Sequence, residues 1–199
     1  LWKTLCFKRR KLVESASGKV SMLPLIFSNI ELTRALIFCT DKDPMQLDHV
    51  NDLLNNEGIN FHQITAQETK NKRALARLIK SFDSGELKVL TSKRVLDEGF
   101  NIPQIETAFI LASNTVERQW VQRLGRVLRQ SPETDKKKAV IYDFVVMPSV
   151  NNDSMDSDLK SLIRSELQRV QFFDSLSQNG LEKNGTADLV EKLLALLET

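Results

Sequence analysis

Apolar positions recur along most of the chain in two alternating patterns. The first is a short continuous run, best seen in Ala35-Leu-Ile-Phe-Cys39, which suits a strand buried on both faces. The second is helical spacing. Asp43 and Pro44 supply an N-cap and a first-turn proline; Leu47, Val50, Leu53 and Leu54 then line one face, and Gly58 stops the helix. Ile59 to Ile64 reads as a second strand. Thr69 to Ser84 reads as a helix with Leu75, Leu78, Ile79 and Phe82 on its core side and Gly85 as the stop. Leu87 to Thr91, Thr107 to Ala112 and Ala139 to Val145 give three more strands, with an arginine-bearing helix between the last two. The alternation predicts an α/β fold, a parallel sheet sandwiched by helices. Ligands of such sheets bind beyond the carboxyl ends of the strands, which singles out Thr40-Asp41, Thr91-Ser92 and Ala112-Ser113.

Both flanks read as helical. Residues 1–30 carry a Leu/Val/Ile pattern broken near Gly18 and Pro24. After Pro148 the composition turns to Ser, Asn and Asp, a linker at residues 149–157. Leu159, Leu162, Ile163, Leu167 and Val170 then mark an amphipathic helix. A loop from Ser177 to Gly185 leads to a second helix around Leu189, Val190, Leu193, Leu194 and Leu197. The expected organisation is a lead-in over residues 1–33, the sheet domain over residues 34–148, and a linker with a helical appendage over residues 149–199.

Composition changes this picture little. Hydrophobic residues make up 41% and charged residues 27% of 199, ordinary for a soluble globular protein and enough for one domain with an appendage. No run reaches the length of a membrane span, and the basic residues Lys8 to Lys11 are not followed by the apolar stretch of a secretory leader. Two separated cysteines, Cys6 and Cys39, suit free thiols in a reducing compartment, the cytoplasm or, in a eukaryote, the nucleus. A start at Leu1, already inside a helix-like pattern, suggests a piece of a longer chain. Charge is uneven: residues 1–150 carry 23 Lys and Arg against 17 Asp and Glu, and residues 151–199 carry 5 against 9. A basic body with an acidic tail is compatible with a polyanion partner.

The sharpest chemical signal is Gln122-Arg123-Leu124-Gly125-Arg126-Val127-Leu128-Arg129. At about 100° per residue, Arg118, Gln119, Gln122, Arg123, Arg126 and Arg129 fall in one arc of roughly 140°. Val116, Trp120, Val121, Leu124, Val127 and Leu128 share the other arc, where Trp120 reads as core. Glu117 is the only acid between Glu106 and Glu133, so the comb of guanidinium groups suits an anion with several oxygens, phosphate first. A solvated basic helix face has the same spacing, and spacing alone does not decide between the two. At the end of the third strand, Thr91 and Ser92 offer hydroxyls and free N–H groups that suit a phosphate, or a turn with satisfied hydroxyls. Lys136 to Lys138 reads as a solvated loop. His49, His62 and the two cysteines are scattered and form no metal constellation.

Taken in order, these blocks resemble the second RecA-like domain of superfamily 2 helicases over residues 30–147. Leu36 to Asp41, then Phe82 to Thr91, then Asp97 to Pro103, then Gln122 to Arg129 follow in the order of that superfamily's motifs IV, V and VI and are similar to them. The octet is especially similar to the Rad25/XPB-like branch. The resemblance implies an ATP-dependent helicase or ATP hydrolase, with ATP and Mg2+ between two such domains. Arg126 and Arg129 match arginines that act as fingers on the γ-phosphate, and Gln122 and Arg123 match the seam around the nucleotide. Gly99 and Asn101 match the ribose-facing positions of motif V, where the family places Asp in place of Asn101. Thr40, Asp41, Thr65, Arg73, Thr91 and Ser92 match the surface that grips a nucleic-acid backbone, DNA rather than RNA by the octet. No phosphate loop occurs, since Gly18-Lys19 lacks the preceding glycine and is followed by Val20. No acidic metal motif occurs either, since Asp97-Glu98 is followed by Gly99-Phe100. The cradle and the Mg2+ ligands are therefore expected from a first domain of the native chain, and residues 1–199 alone should hydrolyse essentially no ATP. A catalytically silent RecA-like scaffold, or the motor lobe of a restriction or defence-system subunit, would share these features.

Overall fold

A computed structural model describes residues 8, 11–40, 43–64, 71–93, 105–112, 125, 136, 138–147, 157–182 and 185–198. The described residues cluster into two compact units, Leu1–Phe144 and Val145–Thr199.

The first unit is built on five parallel strands: β1 (Ala35–Phe38), β2 (Phe61–Gln63), β3 (Val89–Ser92), β4 (Thr107–Ile110) and β5 (Val140–Asp143). Their order across the sheet is β2-β3-β1-β4-β5, so the fully buried run of β1 lies at the centre. Each strand overlaps the apolar run expected to form it and is shorter by one to three residues; β3 runs one residue past its expected end, to Ser92. Two short helices, α1 (Ser17–Ser21) and α2 (Leu23–Phe27), precede β1, preceded in turn by a helical stretch at residues 11–14. Pro24 sits at the start of α2, and the lead-in is broken twice, at Ser15–Ala16 just before α1 and at Met22 between the two helices. Gly18 lies inside α1, two residues after the first break.

Helix α3 (Pro44–Asn56) starts where the sequence places it, with the Asp43 carboxylate accepting the Met45 N–H at 3.1 Å and proline in the first turn. Helix α4 (Lys72–Asp83) is capped by Asn71, whose Oδ1 accepts the N–H groups of Arg73 and Ala74. It therefore begins three residues later than the apolar spacing suggests. Gly58 and Gly85 follow α3 and α4 with φ of 64° and 78°, the left-handed conformation that only glycine adopts without cost.

Alternation along the strands divides the core. Ala35, Ile37, Cys39, Val89, Phe109 and Leu111 share one face with Leu23 of α2 and Leu47, Val50 and Leu54 of α3. Phe109 is held there between Tyr142, stacked at 4.8 Å, and the edge of Phe27 at 5.5 Å. Leu36, Phe38, Leu90, Ala108 and Ile110 are buried on the opposite face. The β2-to-β3 crossover runs in the reverse direction to the one through α3, so right-handed connection places α4 on that second face. Leu78 and Phe82 of α4 are buried accordingly, and Leu75 and Ile79 half-buried. Lys136 corrects an expectation: it is buried rather than part of a solvated loop, while Lys138 is exposed. Burial lowers the Lys136 pKa, opposed by the nearby Glu106 carboxylate.

The second unit pairs α5 (Ser157–Leu176) with α6 (Thr186–Glu198) around Ile163, Leu167, Val170 and Leu193. Inside α5 the Glu166 carboxylate accepts both terminal nitrogens of Arg169, at 2.8 and 2.6 Å, with both side chains about 1% exposed. Glu166 also accepts the Val146 N–H at 3.4 Å. Thr186 donates its hydroxyl to the Asp174 carboxylate, which ties the start of α6 to the end of α5. Among the described residues, no helix is long and apolar enough to cross a membrane.

Candidate functional site

Parallel pairing brings the exits of β2, β3, β1 and β4 side by side along one edge of the sheet. Gln63, Thr91, Ile37, Phe109 and Tyr142 form one row across it. Backbone hydrogen bonds continue past the strands: Cys39 N–H donates to Ser92 O and Ile64 N–H to Thr91 O, both at 2.8 Å. Leu111 and Ala112 both donate to Phe38 O, at 3.0 and 3.1 Å. The edge is thus a continuous hydrogen-bonded rim, and a ligand would meet the segments that leave it.

Two polar networks hold this rim. In the first, the Thr40 N–H donates to Gln46 Oε1 and the Thr40 hydroxyl donates to Glu14 Oε2, both at 2.8 Å. Gln46 Nε2 donates to Glu14 O, and Lys19 Nζ donates to Leu111 O, both at 2.9 Å. Glu14, Lys19, Thr40 and Gln46 are all buried. A buried charge costs free energy unless it is hydrogen-bonded, so these contacts are part of the fold's stability. In the second network, the Thr91 hydroxyl donates to Asn51 Oδ1 at 3.0 Å, and Asn51 Nδ2 donates to Gln63 Oε1 at 2.7 Å. It links β3, α3 and β2.

The sequence-predicted residues divide accordingly. Thr40, Thr91 and Ser92 are brought together at the edge by adjacent strands, yet all three are buried and the two threonine hydroxyls are committed internally. Arg73 is exposed in the first turn of α4. Asp41, Thr65, Gly99, Asn101, Gln122, Arg123, Arg126 and Arg129 lie outside the described residues. Glu14, Lys19, Gln46 and Asn51 were not singled out by the sequence. One signal was present for Asn51: it is an amide on the inward stripe of α3 set by Leu47, Val50 and Leu54. Glu14 and Lys19 carried none, because their partners lie 26 and 92 residues away.

The chemistry of the described edge is that of a scaffold. The Lys19 ammonium is spent on a carbonyl, and with the threonine hydroxyls committed these residues do not form a phosphate cradle. The Cys39 thiol, at the exit of β1, is pushed up to about 12 by burial, slightly opposed by the charge of Lys93. It is a free, buried thiol with no thiolate character at neutral pH.

The helicase conserved C-terminal domain matches residues 18–131, more than half of the chain. The chain belongs to this family. The match begins in α1, next to Lys19, and ends just past Arg129. Its five-stranded parallel sheet with flanking helices is the architecture of the RecA-like helicase C-terminal domains. The C-terminal domain of the DEAD-box protein Dbp5 superposes with a TM-score of 0.54 at 16% identity, covering 92% of each chain. T4 UvsW gives 0.57 at 15% identity, covering 83% of this chain and 34% of that one. In sequence, the helicase domain is similar to the DNA 3'-5' translocase XPB2 of Sulfurisphaera tokodaii, 30% identical over 82 residues, 41% of this chain. It is also similar to the eukaryotic initiation factor 4A of Dictyostelium discoideum, 25% identical over 133 residues, 67% of this chain. The matched segments span 17% and 31% of those two relatives.

Proposed function

We propose that the chain is the second motor lobe of an ATP-dependent superfamily 2 helicase or translocase, acting with a first RecA-like lobe of the same native chain. The observation that carries this reading is the family match over residues 18–131, which takes in the motif VI-like octet Gln122 to Arg129. In this reading Arg126 and Arg129 reach the γ-phosphate of ATP, and Gln122 and Arg123 line the seam. Gly99 and Asn101 face the ribose; Asn101 would hydrogen-bond a hydroxyl without adding charge. The phosphate cradle and the Mg2+ ligands belong to the first lobe. A guanidinium at a transferring phosphoryl group stabilises the charge on its oxygens and is worth about 10³–10⁵ in rate in related nucleotide hydrolases.

The nucleic acid is gripped at the carboxyl edge of the sheet, with Asp41, Thr65 and Arg73 meeting the backbone. Thr40, Thr91 and Ser92 act through the shape they give the rim, as their burial requires. Backbone gripping of this kind gives affinity without sequence preference. DNA is the favoured substrate, on the octet and on the similarity to a DNA translocase.

The test uses the full-length chain. Arg126→Ala should lower nucleic-acid-stimulated ATP turnover by about 10³-fold or more while the nucleic-acid Kd stays within a factor of two or so. Equal loss of turnover and of affinity would refute the finger role. Unchanged turnover would leave a catalytically silent domain as the better reading.

A further inference from the structure

Helix α4 has two opposed faces. Leu75, Leu78, Ile79 and Phe82 point to the sheet; Arg73, Arg77 and Lys80 lie within an arc of about 60° on the other side, at about 100° per residue. All three cations are exposed. No acid occurs between residues 69 and 82, and Asp83 and Glu86 lie at or past the carboxyl end of the helix. Among the described residues, no carboxylate pairs with Arg73, Arg77 or Lys80.

Apart from Lys80, the fold gains nothing from this arrangement. Arg73 follows Lys72 in the first turn, where the helix dipole disfavours cations. Arg73 and Arg77 are four residues apart, Arg77 and Lys80 three apart, and like charges at those spacings repel. Only Lys80, in the last turn, suits the dipole. Nor is the helix terminus an open anion site, because Asn71 Oδ1 already accepts the N–H groups of Arg73 and Ala74 at 3.1 and 3.2 Å. A pattern that works against its own helix and is left exposed points to an anionic partner.

We propose that the outer face of α4, through Arg73, Arg77 and Lys80, is a docking surface for the phosphate backbone of a nucleic acid. From Arg73 to Lys80 the helix rises about 10 Å at 1.5 Å per residue. That length spans about three phosphates of one strand, at 3.4 Å of axis each. The stripe starts at the carboxyl edge of the sheet, where α4 begins, and runs down its flank towards the amino edge. It therefore extends the footprint away from the rim. The proposal rests on the nucleic-acid reading above and adds Arg77 and Lys80 to it.

The experiment is fluorescence anisotropy on the full-length chain, with a labelled 30-nucleotide single strand and a 30-base-pair duplex, across a series of KCl concentrations. The variant is Arg77→Gln with Lys80→Gln, which keeps helix propensity; circular dichroism confirms that it folds. The plot of log K against log salt should flatten by about 0.7–0.9 per lost phosphate contact, and Kd at low salt should rise by about tenfold. Loss confined to the duplex places the flank on duplex backbone; loss on both probes places it on the tracked strand. Either supports the surface. A slope and Kd equal to those of the parent on both probes would overturn it and leave the stripe to an acidic protein partner. A parent that binds neither probe would instead overturn the functional reading on which it rests.

Discussion

Cys39 shows how a single residue takes its chemistry from its place in the fold. It continues the apolar run of β1, is about 1% exposed, and its pKa is pushed up to about 12, chiefly by burial. A thiol raised in the folded state holds its proton more tightly there than in the unfolded chain, whose ordinary value is about 8.5. Its contribution to stability is therefore complete below that value and is lost as pH rises from about 9 towards 12. Two outcomes are expected. Iodoacetamide at pH 8 should leave Cys39 unmodified in the native protein, as followed by mass spectrometry, and modify it once urea unfolds the chain. Rapid native-state modification of the Cys39 peptide would contradict the burial. The run Ala35 to Cys39 made this burial legible in the sequence. The buried charges at the same edge were not legible: the Lys19 ammonium meets the Leu111 carbonyl, and Glu14 meets Thr40, only because the helical lead-in packs at the exits of β4 and β1. No local pattern encodes such contacts. Their place at the strand exits and the family resemblance marked the threonines as binding groups, and tertiary contacts commit their hydroxyls internally.

The helix starts show what local chemistry decides at the scale of an element. Asp43 and Asn71 both adopt extended backbone and accept N–H groups of the first turn of α3 and α4, donors that no other helical residue can satisfy. Asp43→Ala and Asn71→Ala should each cost about 1 kcal/mol, within the usual range of about 0.5–2 kcal/mol for a lost cap. Urea denaturation at constant slope is the measurement; a midpoint that does not move would show that the cap makes no net contribution. Asp43 was recognisable because Pro44 follows it. Asn71 was not, because residues 69–73 are an unbroken polar run, Thr-Lys-Asn-Lys-Arg, with no proline or glycine to mark where the helix starts. Strands were legible for a simple reason. The central strands β1, β3 and β4 are almost wholly buried, so they appear as largely apolar runs, and the differences lie at the ends, which belong to loops as much as to the sheet. The strand order could be named only as parallel, since which run pairs with which is settled by crossovers rather than by composition.

At the scale of the whole molecule, the described residues include two apolar clusters, one in each unit, that share no buried residue. One is built on the sheet around Ile37 and Phe109, the other on the α5–α6 pair around Ile163, Leu167, Val170 and Leu193. Stability in a protein is distributed among such cooperative units, each opening with its own free energy. A cavity made in one core should therefore weaken that unit first. Leu193 is fully buried, so Leu193→Ala removes apolar contact and leaves a cavity, at a cost of about 2–5 kcal/mol. A two-helix unit of this size has little stability in reserve. Amide hydrogen exchange should show α5 and α6 losing protection together, while β1, β3 and β4 keep theirs. Equal loss across the sheet would mean that the two cores unfold as one. The distinction bears on function, because the family match ends at residue 131 and the second unit begins at Val145. If the units prove independent, the helical pair can be destabilised without touching the lobe proposed to carry the nucleotide-facing arginines. Nucleic-acid affinity in a Leu193→Ala full-length chain then reads out what, if anything, the pair contributes to binding.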